Sequence, residues 1–457
     1  MAERVVKIGL LGSGTVGEGV QDIIFGDGKE LAKRLDCRLE IEKIYTRSPK
    51  RKHWHGKFPD KFTSSPDDVI NHPEISIVAE ALGLERPEDA KLVASYIIKA
   101  LQAGKSVVTA NKAVLAAYGH KIHSAARKNN TQLRFEAAVA GGIPIIRTLG
   151  EGLASDNVTG LYGILNGTCN YILSGIRNEG KTFTDALRQA QKLGYAETNP
   201  EADIKGYDTR DKIMVLLQLL YGIFVKKDDV ATEGIESLEK IDFDYASRKL
   251  GTNIKLLGSI SRSGGEVTAA VSPIMINDGH VLSRVNGALN AVLIDSRHCE
   301  TMCLVGKGAG AGPTANSIVS DIISIASGAH FGPCAAPLKF NRHLDKDALY
   351  RYYLRFLVMD RAGIVSDILG HLKNNQVNVD EVLQLKHSAE EKVYFREKLG
   401  VKCDPDKILP FIITLEPSKE SAVNKAVKQI KAKGQDFMLI EPVVIKILPD
   451  LPDVTGV

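Results

Sequence analysis

Apolar residues fall along this chain in two alternating rhythms. Residues 5–11 form a short apolar run rich in β-branched side chains, which predicts a strand. A glycine turn follows, then helical spacing through Val20, Ile23 and Ile24. Residues 38–45 alternate as a strand, 75–81 and 106–109 read as apolar strands, and 88–103 carries helical spacing between these last two. This alternation predicts an α/β unit with a parallel sheet over 1–147. The pattern changes over 148–306, where helices are predicted at 185–193 and 209–224, a loop at 198–206 and a strand at 266–271. This stretch reads as an inserted α+β substrate domain, after which an apolar helix at 318–326 returns the chain to the first unit, completing it with about 307–327. Residues 328–349, with Pro333 and Pro337 and little periodicity, read as a linker.

Beyond it, over 350–448, the pattern restarts. Strands at 353–358, 377–385, 411–415 and 443–447 and helices at 364–373 and 421–433 give the β-α-β-β-α-β order of a ferredoxin-like module. Composition narrows the class. With 457 residues, 44% hydrophobic and 25% charged, the chain suits several folded domains and not a disordered one. A net charge of +4 without a basic stripe among aromatics argues against nucleic acid. The apolar run at 213–225 contains Gln218 and is too short to span a membrane. Cys37, Cys169, Cys299, Cys303, Cys334 and Cys403 form no CxxC pair, which suits reduced thiols. The opening apolar run is too short for a signal peptide, so a cytoplasmic location is expected.

Gly12-Ser13-Gly14-Thr15-Val16-Gly17 matches GxGxxG between the first strand and the first helix, the place where a Rossmann-type domain binds a dinucleotide. Gly12 allows the tight turn, Gly14 lets backbone approach a pyrophosphate, and Gly17 lets helix and strand pack closely. At the end of the second strand stands Tyr45-Thr46-Arg47, with no acidic residue for a ribose hydroxyl. Arg47 therefore favours the 2′-phosphate of NADP, with NAD as the alternative, unless it is simply a solvated arginine.

Glu197, Asp203, Asp208 and Lys212 surround a loop containing proline and glycine. Asp208 and Lys212 are four residues apart and share a helix face. A lysine beside a buried helix and near carboxylates can hand a proton to a carbonyl oxygen. The spacing equally fits an ordinary solvated ion pair. Asn166 and Thr168, in GILNGTCNY, are candidate substrate contacts, whereas Cys169 lacks a neighbouring histidine and reads as a buried thiol, not a nucleophile. Lys112 follows the strand at 106–109, whose C-terminal end faces the cofactor crevice. His53 and His55, flanking Trp54, read as a surface loop without further metal ligands.

Together, GLLGSGTVG, TANK, FEAAVAGGIPII, GILNGTCNYIL, GYAETNPEADIKGYDTRDK and GKGAGAGPTA resemble, in order, the homoserine dehydrogenase family. The resemblance covers about 7–327 and implies reversible, NAD(P)H-dependent reduction of L-aspartate 4-semialdehyde to L-homoserine, a step towards threonine and methionine. It implies that Lys212 donates the proton, that Lys112 lies near the reacting group and nicotinamide, and that Glu197 and Asp208 hold the substrate amino group; Asp203, Tyr195, Asn166 and Thr168 are further candidate substrate contacts. Gly12, Gly14, Thr15, Val16, Gly17 and Gly312 match cofactor positions. Glu136, Val139, Gly141 and Ile143 match a monovalent-cation site that suits Na+. Asn199 stands where the family often has Asp. No kinase-like segment precedes the glycine turn, which points to a monofunctional form.

The segment LRFLVMDRAGIV makes 350–448 resemble an ACT domain. Asp360, Gly363 and Ile364 then form the strand-to-helix turn that would take an amino-acid effector, with threonine the leading candidate. A purely assembling role is the alternative, and the insertion at 387–407 lengthens the usual hairpin. The expected assembly is a homodimer or homotetramer. Two rivals remain: a dehydrogenase of another amino-acid aldehyde, and a sensor that binds dinucleotide without turnover.

Overall fold

The structure, a computed structural model, describes residues 4–35, 37–86, 88–329, 339–340, 349–384, 404, 407–434 and 437–448. The first domain runs β1 (Val5–Leu11), α1 (Thr15–Gln21), α2 (Gly28–Arg34), β2 (Arg38–Tyr45), β3 (Phe62–Thr63), α3 (Asp67–Ile70), β4 (Ile77–Glu80), α4 (Asp89–Gln102), β5 (Ser106–Thr109), α5 (Lys112–Lys128) and β6 (Leu133–Arg134). Its strands are all parallel, in the order β3-β2-β1-β4-β5-β6. The order reverses between β1 and β4, which opens a ligand crevice at their C-terminal ends. Both faces are covered. Leu11, Val78 and Ile97 belong to one apolar cluster, and Ile8, Leu10 and Val20 to another. Burial on both faces explains why these strands read as continuous apolar runs.

The chain continues as α6 (Ile145–Arg147), β7 (Val158–Ile164), α7 (Gly167–Glu179), α8 (Phe183–Lys192), α9 (Glu201–Ile204), α10 (Tyr207–Tyr221), β8 (Ala231–Thr232), α11 (Lys240–Leu250), β9 (Thr252–Ser263), β10 (Glu266–Asn277), β11 (Leu289–Ser296), β12 (Glu300–Lys307) and α12 (Ala311–Ala326). It ends with β13 (Lys339–Phe340), β14 (Leu349–Met359), α13 (Ile364–Asn374), β15 (Val379–Gln384), β16 (Ile408–Lys419), α14 (Glu420–Lys431) and β17 (Val443–Ile447). α12 packs its Ile318, Val319 and Ile322 beside Val20 and Ile24 of the first domain.

Strands read at 5–11, 38–45, 106–109 and 443–447 form at those residues. The expected loop at 198–206 instead contains α9. The following helix begins at Tyr207, because Gly206 takes φ +77, and ends before Gly222, whose left-handed φ of +63 caps it. α12 starts at Ala311, well before its apolar spacing, since Pro313 is tolerated in a first turn. Most of the linker and of the insertion lies outside the described residues, but β13 pairs with β10.

The last unit is continuous with the middle sheet. One eleven-stranded sheet runs β12-β11-β7-β9-β10-β17-β14-β16-β15, with β8 and β13 also on β10. β17 joins β10 in parallel through Ile274↔Lys446 and Met275↔Ile447. Polar anchors reinforce the seam: Tyr353 and Arg355 both donate to Asp242 Oδ1, at 2.6 and 2.7 Å, and Arg355 also donates to the Ser237 carbonyl. Asp242 is fully buried, so removing either charge would strand the other, at a cost of about 3–5 kcal/mol.

Glu80 closes β4 at 0% exposure. Its carboxylate accepts from the Leu82 N–H at 2.7 Å and the Thr109 hydroxyl at 2.5 Å. Burial pushes its carboxyl up to about 6 from an ordinary 4.5. Because the folded-state pKa is raised, the group favours folding most below pH 4.5, and that contribution is lost as pH rises through about 6. In denaturant titrations, the stability of wild type relative to Glu80→Gln is expected to fall by about 2 kcal/mol between these limits. A pH-independent difference would contradict the assignment.

Candidate active site

The glycine turn meets its steric demands one residue at a time. Gly12 has φ +108, and a Cβ there would lie 2.5 Å from the Ala81 carbonyl, across the β1–β4 switch point. At Gly17 a Cβ would lie 2.2 Å from the Gly12 carbonyl oxygen. Gly14, which opens α1, has nothing within 4 Å, and Thr15 beside it is exposed, whereas Val16 is half-buried. The turn is pinned from behind by Gln21, which donates to Ser13 Oγ and the Gly17 carbonyl, both at 2.9 Å. Gly17→Ala is therefore expected to destabilise the fold by about 1–3 kcal/mol. Gly14→Ala should leave the thermal midpoint in place while weakening dinucleotide binding about tenfold. Thermal unfolding and a fluorescence titration separate the two; a common response would refute the division.

Arg47 does not stand free at the end of β2. Its guanidinium is exposed and forms a two-pronged ion pair with Glu85. An incoming phosphate would share it with that carboxylate.

The two lysines meet at one carboxylate. β5 delivers the TANK turn, where the Asn111 N–H donates to Thr109 Oγ1 and the Asn111 side chain donates to the Leu82 carbonyl, both at 3.0 Å. Lys112 then starts α5 and reaches Asp208 Oδ1 at 3.1 Å. From α10, Lys212 reaches Asp208 Oδ2 at 2.7 Å and donates to the Leu165 carbonyl at 2.5 Å. Asn166, the N-cap of α7, donates to Asp203 Oδ1 at 2.7 Å and Asp208 Oδ2 at 2.9 Å, and accepts from the Cys169 N–H. Lys212 is 8% exposed. Burial alone would raise the Asp208 carboxyl, but Lys212 and Lys112 hold it well below the usual range. Asp208 in turn holds the Lys112 ammonium above its ordinary value, against burial. Asp203 is raised by burial and by Asp208.

Thr168, two residues beyond Asn166, donates to the Tyr195 carbonyl at 2.5 Å; the exposed Tyr195 ring packs 4.9 Å from Tyr171. Glu197 is exposed, and its carboxylate has no hydrogen bond or ion pair among the described residues. The cluster thus unites Lys112, Lys212, Asp203, Asp208 and Asn166, with Thr168 and Tyr195 adjoining. Cys169 is buried and donates to the Asp203 carbonyl, and burial pushes its thiol well up, which suits no nucleophile.

Sequence reasoning missed Asn290, the second residue of β11. It is 1% exposed, and neither end of its amide has a partner among the described residues. A Cβ on Gly308 would lie 2.0 Å from its amide, and one on Gly167, at the start of α7, would lie 3.5 Å from its Oδ1. An amide in the otherwise apolar LNAVLI run was the signal available. Gly312, in the first turn of α12, faces open space.

Glu136, Val139, Gly141 and Ile143 lie on one buried segment. The Glu136 carboxylate accepts the Ile146 and Arg147 N–H groups at 2.8 and 2.9 Å, while its own N–H donates to Asp321. Burial, with Asp321, pushes the Glu136 carboxyl up to about 7, and burial takes Asp321 to about 6. Arg147, 3.5 Å from Asp321, is partly exposed. Arg134 also acts to lower the Asp321 carboxyl without reversing its shift, and two raised, buried carboxyl groups side by side fit a cation. Elsewhere Glu42, His72 and Glu74 cluster, with Lys7 already paired to both carboxylates.

In the last unit, Gly363 takes φ +83 at the start of α13 and faces open space. Ile364 is buried, and the exposed Asp360 donates its N–H to the Lys407 carbonyl.

Known proteins are similar to this chain over most of its length. The homoserine dehydrogenase NAD-binding domain matches residues 12–136, and the homoserine dehydrogenase domain matches residues 144–323. A homoserine dehydrogenase of Synechocystis sp. is 38% identical over 394 residues, covering 83% of this chain and 89% of its own. The crystal structure of a homoserine dehydrogenase from Thiobacillus denitrificans superposes with a TM-score of 0.82 at 32% identity, covering 98% of this chain and 99% of that one. A hyperthermophilic archaeal homoserine dehydrogenase in complex with NADPH has a TM-score of 0.59 at 26% identity, over 70% of this chain and 98% of its own. With the dinucleotide turn and the lysine–carboxylate cluster at the end of one parallel sheet, these matches establish that the chain belongs to the homoserine dehydrogenase family and is an NAD(P)-dependent oxidoreductase.

Proposed function

We propose that the chain interconverts L-homoserine and L-aspartate 4-semialdehyde, with Lys212 as the proton-transfer group. The observation that carries this reading is Asp208, which bridges a lysine from each of two domains. The dinucleotide supplies the hydride on reduction and takes it up on oxidation. Lys212 gives its proton to the aldehyde oxygen on reduction and recovers one from the hydroxyl on oxidation. A lysine has three N–H groups, and Leu165 and Asp208 take two of them, which leaves one for the substrate oxygen. Lys112 adds a second positive charge for oxygen as it gains electron density. Asp203 and Glu197 take the substrate ammonium, and Asn166, Thr168 and Tyr195 shape the pocket.

Gly12, Gly14, Thr15, Val16, Gly17 and Gly312 hold the dinucleotide, and Arg47 selects NADP. Arg47→Asp is expected to lower the NADPH-to-NADH ratio of kcat/KM, and an unchanged ratio removes Arg47 from selection. Na+ at Glu136, Val139, Gly141 and Ile143 would neutralise the buried Glu136–Asp321 pair. Residues 350–448 are read as an ACT domain that takes threonine at Asp360, Gly363 and Ile364. The strand order β17-β14-β16-β15, with α13 and α14 in one shared core, supports that reading. Exposed Leu289 and Val305, on the edge pair β11–β12, suit contact within a homodimer or homotetramer. No helix among the described residues is long and apolar enough to cross a membrane. Homoserine oxidation assayed with each cofactor, with and without threonine, tests the whole reading. Absence of turnover on homoserine would overturn it.

A further inference from the structure

Behind the active site, at the seam between the middle domain and the last unit, lies a cleft of about 190 Å³. That is many times the ~10–15 Å³ that one water needs, and below the ~300–1,000 Å³ of a typical cofactor pocket. It has room for a small solute.

Its polar groups satisfy one another only in part. Lys446, on β17, pairs with Glu420 at 2.9 Å and also lies over the Tyr350 ring. Glu233 lines the same cleft and has no side-chain hydrogen bond or ion pair among the described residues. Solvent reaches Glu233, yet protein crowds it enough to push its carboxyl up to about 7; Lys446 and, more weakly, Lys431 oppose the shift and Glu420 adds to it. Tyr352 also lines the cleft, is 2% exposed, and has a buried hydroxyl without a partner among the described residues. Two carboxylates therefore face one ammonium, beside an unpaired hydroxyl. The rest of the wall sets Val271, Pro273 and Val444 beside Thr232, Ser272 and Asn424.

We propose that this cleft is a second small-molecule site that binds a small primary ammonium ion, its NH3+ between Glu233 and Glu420 and its hydrocarbon part against Val271, Pro273 and Val444. An organic ammonium supplies the missing positive charge and the donors that the carboxylates lack, while its body covers the apolar part of the wall. The ion could come from a simple amine or from an amino acid, whose carboxylate would face Lys446 and the Tyr352 hydroxyl. The wall packs against the N-cap residue of α10. A Cβ on Gly206, which opens α10, would lie 3.1 Å from Val271 Cγ1 and 3.3 Å from both the Glu233 carbonyl and Thr232 Cγ2. Asp208 and Lys212 stand on that same helix.

The test is calorimetric titration of the full chain with propylammonium chloride, L-alanine and 1-propanol at constant ionic strength. Propylammonium should bind, and Glu233→Gln should weaken it about tenfold with the fold intact; where L-alanine also binds, Tyr352→Phe should weaken L-alanine several-fold and leave propylammonium unchanged. Asp208→Asn should leave this affinity unchanged, because the catalytic carboxylate lies outside the cleft. L-alanine binding that is lost in Glu233→Gln supports an amino acid as the source; binding of propylammonium alone supports a simple amine. The proposal is overturned if neither ion binds, if Glu233→Gln has no effect, if 1-propanol binds as well as propylammonium, or if Asp208→Asn abolishes the signal.

Discussion

Lys212→Ala is expected to lower kcat for homoserine oxidation about a thousandfold while leaving dinucleotide affinity unchanged. Among the described residues the Lys212 ammonium hydrogen-bonds to the Leu165 carbonyl and to Asp208. Its loss removes the group assigned to the proton but leaves Asp208 paired with Lys112 at 3.1 Å, so no carboxylate is stranded. The variant should therefore fold. Steady-state kinetics with a parallel NADPH fluorescence titration check this. A rise in KM with kcat intact would make Lys212 a binding residue, and a matching loss of NADPH affinity would make it part of the cofactor site. Either result sinks the chemical role.

What the sequence revealed follows the range of the forces involved. The glycine turn was legible because its steric demands are local: Gly12 and Gly17 are fixed by contacts within the turn and its neighbouring strand. The shared face of Asp208 and Lys212 was legible because helix geometry places residues four apart together. Their meeting with Lys112 was not, since it depends on how two domains close over the crevice. Nor was the Arg47–Glu85 pair, which joins two loops. The restart of hydrophobic alternation after the linker suggested a separate module, because alternation marks strands without naming their partners. The pairing of β17 with β10 is a tertiary choice, helped by the buried Asp242–Arg355 contact. Asn290 went unnoticed because its environment, and not any motif around it, makes it unusual. The cleft around Glu233 was equally hidden, because its walls come from distant parts of the chain.

Asp208→Asn should have an effect of comparable size and a different signature. With the carboxylate gone, two ammonium groups share a largely buried site with no counter-charge between them. Stranding a buried charge costs about 3–5 kcal/mol, and a lysine escapes that cost by releasing its proton. Asp208 is the chief influence holding the Lys112 ammonium above its ordinary value, so its removal lets burial lower that pKa. The resulting titration belongs to the lysine pair, not to either residue alone. Reduction needs a protonated donor, and its rate falls as pH rises through that titration. Oxidation needs a free base, and its rate falls as pH drops through it. Both limbs are therefore expected to move to lower pH by about one unit or more, and separately the plateau of kcat/KM is expected to fall by about a hundredfold, because Lys212 loses the carboxylate that orients it. Full pH profiles of kcat/KM in both directions provide the check. A fall in amplitude with both limbs unmoved would reduce Asp208 to a structural brace for α10. Limbs moving in opposite directions would contradict a single lysine-centred proton transfer serving both directions.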